Sequence, residues 1–222
     1  MSKIKLILRC LVPASVVFWA ILVSAGEMHV LVKDQNGQAV EDAVALATPV
    51  DARNLALPKQ AINEMDQKDT AYVPHVKVVT AGSKVYFPNQ DNIRHHVYSF
   101  SPAKVFELPL YSGHAAPPIL FDKAGPVMLG CNIHDWMIGY IYVADTPFFG
   151  KSAKNGKILI ADVPPGAYWV RIWHPNLQGT EESTMRKVTL DATKAANMEW
   201  QLTLKPVFRI PQASGRSGAA YR

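Results

Sequence analysis

At 222 residues the chain is long enough for one or two compact domains with real cores. Its balance of 49% apolar to 18% charged residues excludes a disordered or fibrous protein. The formal charge of +5 falls to +2 without Lys3, Lys5 and Arg9, a field too weak to imply a nucleic-acid partner.

Those three basic residues open a segment that reads as a signal peptide over 1–25. An apolar run over 11–23 follows them, and Val23-Ser24-Ala25 supplies small residues for cleavage before Gly26. The alternative is an uncleaved membrane anchor, but the run is short for a bilayer span. No second run of spanning length follows, so no membrane span is expected after cleavage. Cys10 would leave with the signal. Cys131 would then be a lone thiol in an oxidising compartment, unable to form an internal disulfide.

Downstream, short β-type runs alternate with turns and no long amphipathic helix is predicted. Strands are expected over 28–33 and 44–47, separated by the turn Asp34-Gln35-Asn36-Gly37. Residues 49–61 read as a connector with room for one helical turn. Strands over 72–79, 84–87 and 95–100 come next, divided at Ala81-Gly82 and at the polar turn 89–94. Residues 101–122 carry four prolines and read as a long surface excursion. A strand over 127–130 runs into Cys131, and another over 137–143 leaves the same loop. Further strands are expected over 158–161, 168–173, 188–190 and 198–204, with turns at Asn155-Gly156 and Pro164-Pro165-Gly166. Residues 206–222 lose periodicity and read as a disordered tail.

The chemistry is concentrated in Cys131-Asn132-Ile133-His134-Asp135-Trp136-Met137. A thiolate, an imidazole three residues on and a thioether three beyond that are soft or borderline donors, which one loop can wrap around a single ion. The set suits copper in both of its oxidation states. A second imidazole is needed, and His95 and His96 stand upstream on a separate predicted strand. Other readings of Cys131 are a buried inert thiol, a Cys–His nucleophile without an orienting third residue, and a zinc ligand, against which the methionine argues. A dinuclear copper centre would need a second loop cysteine. His29, His75 and His174 read as surface or packing residues, and His114 as a residue able to approach the site. Trp136 reads equally as packing beneath the loop and as a contact surface beside His134.

Phe87-Pro88-Asn89-Gln90-Asp91 followed by His95-His96-Val97 resembles the first-ligand strand of the cupredoxins. Cys131-x2-His134-x2-Met137 resembles their ligand loop in the short amicyanin spacing rather than that of plastocyanin. The likeness runs over about 60–146. Within it, the blocks 95–101 and 131–143 resemble bacterial proteins labelled methylamine utilization protein. The resemblance implies a mononuclear type 1 (blue) copper with His95, Cys131 and His134 as ligands and Met137 as the weak axial one. It also implies supporting roles for Asn89, His96 and Asn132, with a His96–Asn132 hydrogen bond across the site.

Val32-Lys33-Asp34-Gln35-Asn36-Gly37 through Val44, together with Asp162 through Val170, resembles transthyretin-type, carboxypeptidase regulatory-like β-sandwiches. Neither half can bury both faces alone. The expectation is therefore an all-β protein in which a Greek-key cupredoxin (60–146) is inserted in or joined to an Ig-like sandwich made of 26–59 and 147–205. The competing layout keeps those two halves as separate small units. The function expected is periplasmic one-electron transfer, without enzymatic activity, to a redox partner such as a c-type cytochrome or a dehydrogenase. The alternatives are a copper module for delivery or sensing, and an envelope protein with a relic site.

Overall fold

The computed structural model describes residues 26–51, 55–58, 62–113 and 117–206; the expected signal, His114 and residues 207–222 of the expected tail lie outside them. The described chain is all-β, with seventeen short strands and one 3-10 turn, Glu181–Thr184.

Strands from the two ends of the chain pair with one another. Gly26–Asp34 runs antiparallel to Lys157–Val163 and parallel to Ala196–Leu202. Val44–Pro49 lies between Phe148–Lys151 and Gly166–Trp173, and the latter also pairs with Arg186–Leu190. Inward-facing Met28, Val30, Val32 and Ile160 meet Ala45, Ala47, Val170 and Ile172 in a common core around Trp200. The strand period of two sets this: alternate residues of each strand reach the same face.

Strands between residues 62 and 144 pair among themselves. Gly139–Ala144 is central, parallel to Val76–Thr80 and antiparallel to Gly125–Leu129. His95–Ser101 pairs with Lys104–Tyr111 and reaches Gly130 through a bridge at Tyr98. Ser83–Tyr86 lies between Ile62–Glu64 and Ile119–Phe121. Val85, Phe87, Val97, Phe121, Val127 and Ile141 fill the core, and Cys131 and Met137 belong to it.

Two strands serve two cores each. Ala45 and Ala47 face the first core, while Val44 and Leu46 face a third cluster with Val76, Tyr142, Ala144 and Trp173. Ile141 and Val143 face the second core, while Tyr142 and Ala144 face that same cluster. This accounts for the unbroken apolar run Val44-Ala45-Leu46-Ala47, which a strand with one wet face would not carry. Burial of Leu46 alone contributes about 2 kcal/mol. Beside this cluster Arg171 contacts Asp145 and Glu181 at 2.5 Å each, and Glu181 accepts a 2.6 Å hydrogen bond from the Tyr142 hydroxyl.

The structure departs from the expected strands in several places, and Ile62–Glu64, Asp66–Lys68 and Phe148–Lys151 are strands that were not expected. The single strand over 72–79 is two, Ala71–Val73 and Val76–Thr80, broken at Pro74, which has no N–H to give a ladder. The expected excursion over 101–122 instead contains Lys104–Tyr111 and Ile119–Phe121. Its prolines misled the reading because Pro109 sits in the register shift opposite His96, where the ladder needs no donor.

Candidate metal centre

Asn89 builds the turn that delivers the first imidazole. Its amide donates to the carbonyls of Ile93 and Tyr111, both at 2.8 Å, and its Oδ1 accepts the Asp91 N–H at 3.0 Å. The turn closes on His95, the first residue of its strand and fully buried. The Nε2 of His95 lies 2.7 Å from Oδ2 of Asp91. A carboxylate only accepts, so Nε2 carries the proton and Nδ1 presents its lone pair. Nδ1 is buried and has no hydrogen-bond partner among the described residues.

What Nδ1 shares its space with is the opposite loop. The ligand atoms of His95, Cys131 and His134 all lie within 4.8 Å of one another. The Cys131 sulfur is 4.0 Å from His134 Nδ1, and the two imidazole rings are 5.0 Å apart. The loop is tight because the Met137 N–H donates to the His134 carbonyl at 2.9 Å and the Ile138 N–H to that of Trp136 at 3.0 Å. Met137 is buried and lines, with Cys131, Tyr98, Met128 and Asp135, an open cleft of about 310 Å³. Cys131 is the free cysteine among the described residues.

Electrostatics favour the ligating forms of Cys131 and His134, and bias His95 toward a proton that a bound ion would displace. Burial pushes the Cys131 thiol up, but the His95 ring and the backbone N–H groups of His96, Ile133 and His134 outweigh it, holding the thiol below the ordinary cysteine value. Burial pushes the Asp91 carboxyl up too, and the Thr70 N–H, the His95 ring and the Asp69 N–H bring it below the usual range. Burial also opposes a charge on His95, yet the sulfur and the Asp91 carboxylate raise its pKa. His134 is lowered, by burial first and then by His95, which keeps it a neutral donor.

The His96–Asn132 hydrogen bond is not present. His96 Nε2 lies 2.8 Å from Glu107 Oε1, its Nδ1 has no partner, and Asn132 is exposed. Adjacent strand residues leave on opposite faces, so His96 stacks beside Tyr98 at 5.5 Å while Val97 enters the core. Its part in the site is the backbone N–H that faces the sulfur.

The other histidines lie elsewhere: His29 against Glu27 at 2.9 Å, His75 edge-on to Tyr140 at 5.4 Å, and His174 accepting the Asn176 N–H at 3.1 Å. Trp136 is half-buried, with its ring 5.2 Å from that of His134 and its Nε1–H donating to Thr70 Oγ1 at 3.3 Å. Sequence reasoning gave Asp91 no role of its own and passed over Thr70. The carboxylate four residues before a ligand histidine was the available signal for the first.

No protein-family profile and no curated protein sequence matches the chain. Solved structures do, over part of its length. A copper-containing nitrite reductase from Thermus scotoductus SA-01 is 24% identical at a TM-score of 0.37, over 44% of this chain and 25% of its own. The chain thus spans about a quarter of that enzyme. A purple cupredoxin from Nitrosopumilus maritimus is 21% identical at 0.33, over 38% of this chain and 100% of its own. An oxidised amicyanin variant is 20% identical at 0.35, over 44% and 98%.

The donor set passes a test that owes nothing to these likenesses. A fully buried imidazole with one nitrogen locked by Asp91 and the other facing only a sulfur is poorly satisfied unless that lone pair is used. A metal ion shared with the thiolate and the second imidazole uses it. The residues fit copper.

Proposed function

We propose that this protein is a periplasmic one-electron carrier holding one type 1 copper ion with His95, Cys131 and His134, and with Met137 as the weak fourth donor. The observation that carries the reading is the buried His95 ring, held at Nε2 by the Asp91 carboxylate with Nδ1 left for the Cys131 sulfur, in a group whose three ligand atoms all lie within 4.8 Å of one another. When bound, copper would supply the reversible one-electron couple, which the mixed thiolate, thioether and imidazole set suits in both oxidation states.

The chain's residues supply the rest. Asp91 holds the His95 ring in one tautomer, and the tight loop keeps the Cys131, His134 and Met137 side chains in fixed relation. Burial of Cys131 and Met137 in a packed core resists rearrangement between the two states. His134 is the half-exposed donor, with Trp136 against it, and this edge is the natural exit for an electron to a c-type cytochrome or a dehydrogenase. The reading is of a carrier, with no substrate chemistry of its own.

The test is to add copper to the protein lacking residues 1–25. An intense visible thiolate-to-copper charge-transfer band with narrow copper hyperfine splitting is expected, absent from Cys131→Ser. A colourless wild type would overturn the proposal. Reversible electron exchange with a cytochrome supports transfer, whereas rapid loss of the ion to a mild chelator would favour delivery.

A further inference from the structure

Asp69 and Thr70 form the two-residue turn between the paired strands Asp66–Lys68 and Ala71–Val73, and both have positive φ, 53° and 56°. Such a turn normally calls for Asn-Gly, and a β-branched residue there is strained. Strain of this kind persists where the surroundings over-determine it, often at functional sites. Here both backbone N–H groups face one carboxylate: Asp69 donates to Oδ1 of Asp91 at 2.7 Å and Thr70 to Oδ2 at 2.9 Å. Successive N–H groups in this conformation form an anion-binding nest. The anion held is the one that orients His95.

The same residue reaches the other side of the site. The Thr70 hydroxyl accepts the Trp136 indole N–H at 3.3 Å, and the Trp136 ring lies against His134. One turn thus bonds to the neighbours of both imidazole donors, which come from segments nearly forty residues apart. Glycine would fit the backbone better but would leave Trp136 Nε1 without its acceptor.

We propose that Thr70 is a positioning residue of the metal centre, setting His95 through its N–H to Asp91 and His134 through its hydroxyl to Trp136. This rests on the copper reading above. It gives the threonine at a glycine-type position a reason: the hydroxyl is used.

The test compares Thr70→Ser, Thr70→Ala, Thr70→Gly, Trp136→Phe and the Thr70→Ala/Trp136→Phe pair in the copper-loaded protein. Thr70→Ser keeps the hydroxyl and is expected to keep the wild-type band and hyperfine splitting. Thr70→Ala and Trp136→Phe are expected to shift both alike and to speed copper loss to a chelator about 10-fold, the lower end for residues that support a metal ligand. The double variant should go no further than either single one. Thr70→Gly should share the altered spectrum while melting no lower than Thr70→Ala, since it relieves the left-handed strain. Unchanged spectra and loss rates in Thr70→Ala would overturn the proposal, as would additive effects in the pair. A wild type that takes up no copper would sink the copper reading instead. The coupling is then read in the metal-free protein from Trp136 indole N–H exchange and His134 ring-nitrogen shifts. Thr70→Ala is expected to move both and Thr70→Ser neither; if Thr70→Ala moves neither, the proposal fails.

Discussion

The Nε2 of His95 lies 2.7 Å from Oδ2 of Asp91, and this contact decides which nitrogen of the ring is left for a metal. A carboxylate in this position makes the imidazole a stronger donor and adds a negative charge beside the ion, which favours the more positive oxidation state. Asp91→Asn keeps an oxygen to accept the Nε2–H but removes the charge. It is expected to weaken copper(II) binding about 10- to 100-fold and to raise the reduction potential. Chelator competition and potentiometry check both; an unchanged potential would show that the charge is screened from the site.

Gly139 follows the ligand loop, and a Cβ there would stand 2.6 Å from the Cβ of buried Tyr72. The close approach lets the Tyr72 hydroxyl donate to the Gly130 carbonyl at 2.9 Å, one residue before Cys131. Gly139→Ala must push apart two backbones rather than a flexible side-chain tip. A loss of about 1–3 kcal/mol in denaturant unfolding is expected, with faster copper loss because the Gly130 carbonyl is freed. Tyr72→Phe should reproduce the faster loss with a smaller stability cost of about 1 kcal/mol.

The all-β character was legible in the sequence because turns punctuate every apolar run. The candidate loop was legible because Cys131, His134 and Met137 fall within seven residues. What joins that loop to the rest of the site was not. Asp91 meets the turn at Thr70 across 21 positions, and Trp136 meets Thr70 across 66, separations at which no local spacing carries a signal. His96 was misread because a family position was carried over without asking which face of the strand it leaves from. The strands Lys104–Tyr111 and Ile119–Phe121 were hidden by prolines that occupy a bulge or lie outside the ladder.

Arg171 ties the two sets of strands together, and its side chain and that of Glu181 are each only 14% exposed. Its Nε faces Glu181 and its NH2 faces Asp145, while NH1 donates to the Thr48 hydroxyl at 2.9 Å. Arg171→Ala leaves Glu181 a nearly buried carboxylate with only the Tyr142 hydroxyl, and a cost of about 3–5 kcal/mol is expected. Pairing Arg171→Met with Glu181→Gln removes both charges and should recover much of that loss. Chemical denaturation of the three proteins checks this. If the double variant is as unstable as Arg171→Ala, the cost lies in packing rather than in a stranded charge.

Tyr72, Tyr111 and Tyr142 are among the buried tyrosines that give the fold an alkaline limit. Burial raises the phenols of Tyr72 and Tyr142 far above the ordinary value, helped by the charges of Cys131 and Glu181 respectively. Burial pushes Tyr111 up to about 12 against the hydrogen bond from Gln67. In the unfolded chain all three ionise near 10. Above that pH the unfolded state holds fewer protons than the folded one, so stability falls as pH rises. The contribution is fully present below pH ~10 and is lost through the raised values, at roughly 1.4 kcal/mol per pH unit for each tyrosine. Unfolding free energy measured from pH 8 upward should therefore be flat and then steepen above about pH 10. Phenolate absorbance from these side chains should appear together with unfolding. Tyr111→Phe tests the assignment: it gives up the hydroxyl's bonds to Gln67 and to the Phe87 carbonyl, so it starts less stable, yet its alkaline slope should be shallower by one group. A variant with the same slope would move the alkaline limit to other residues.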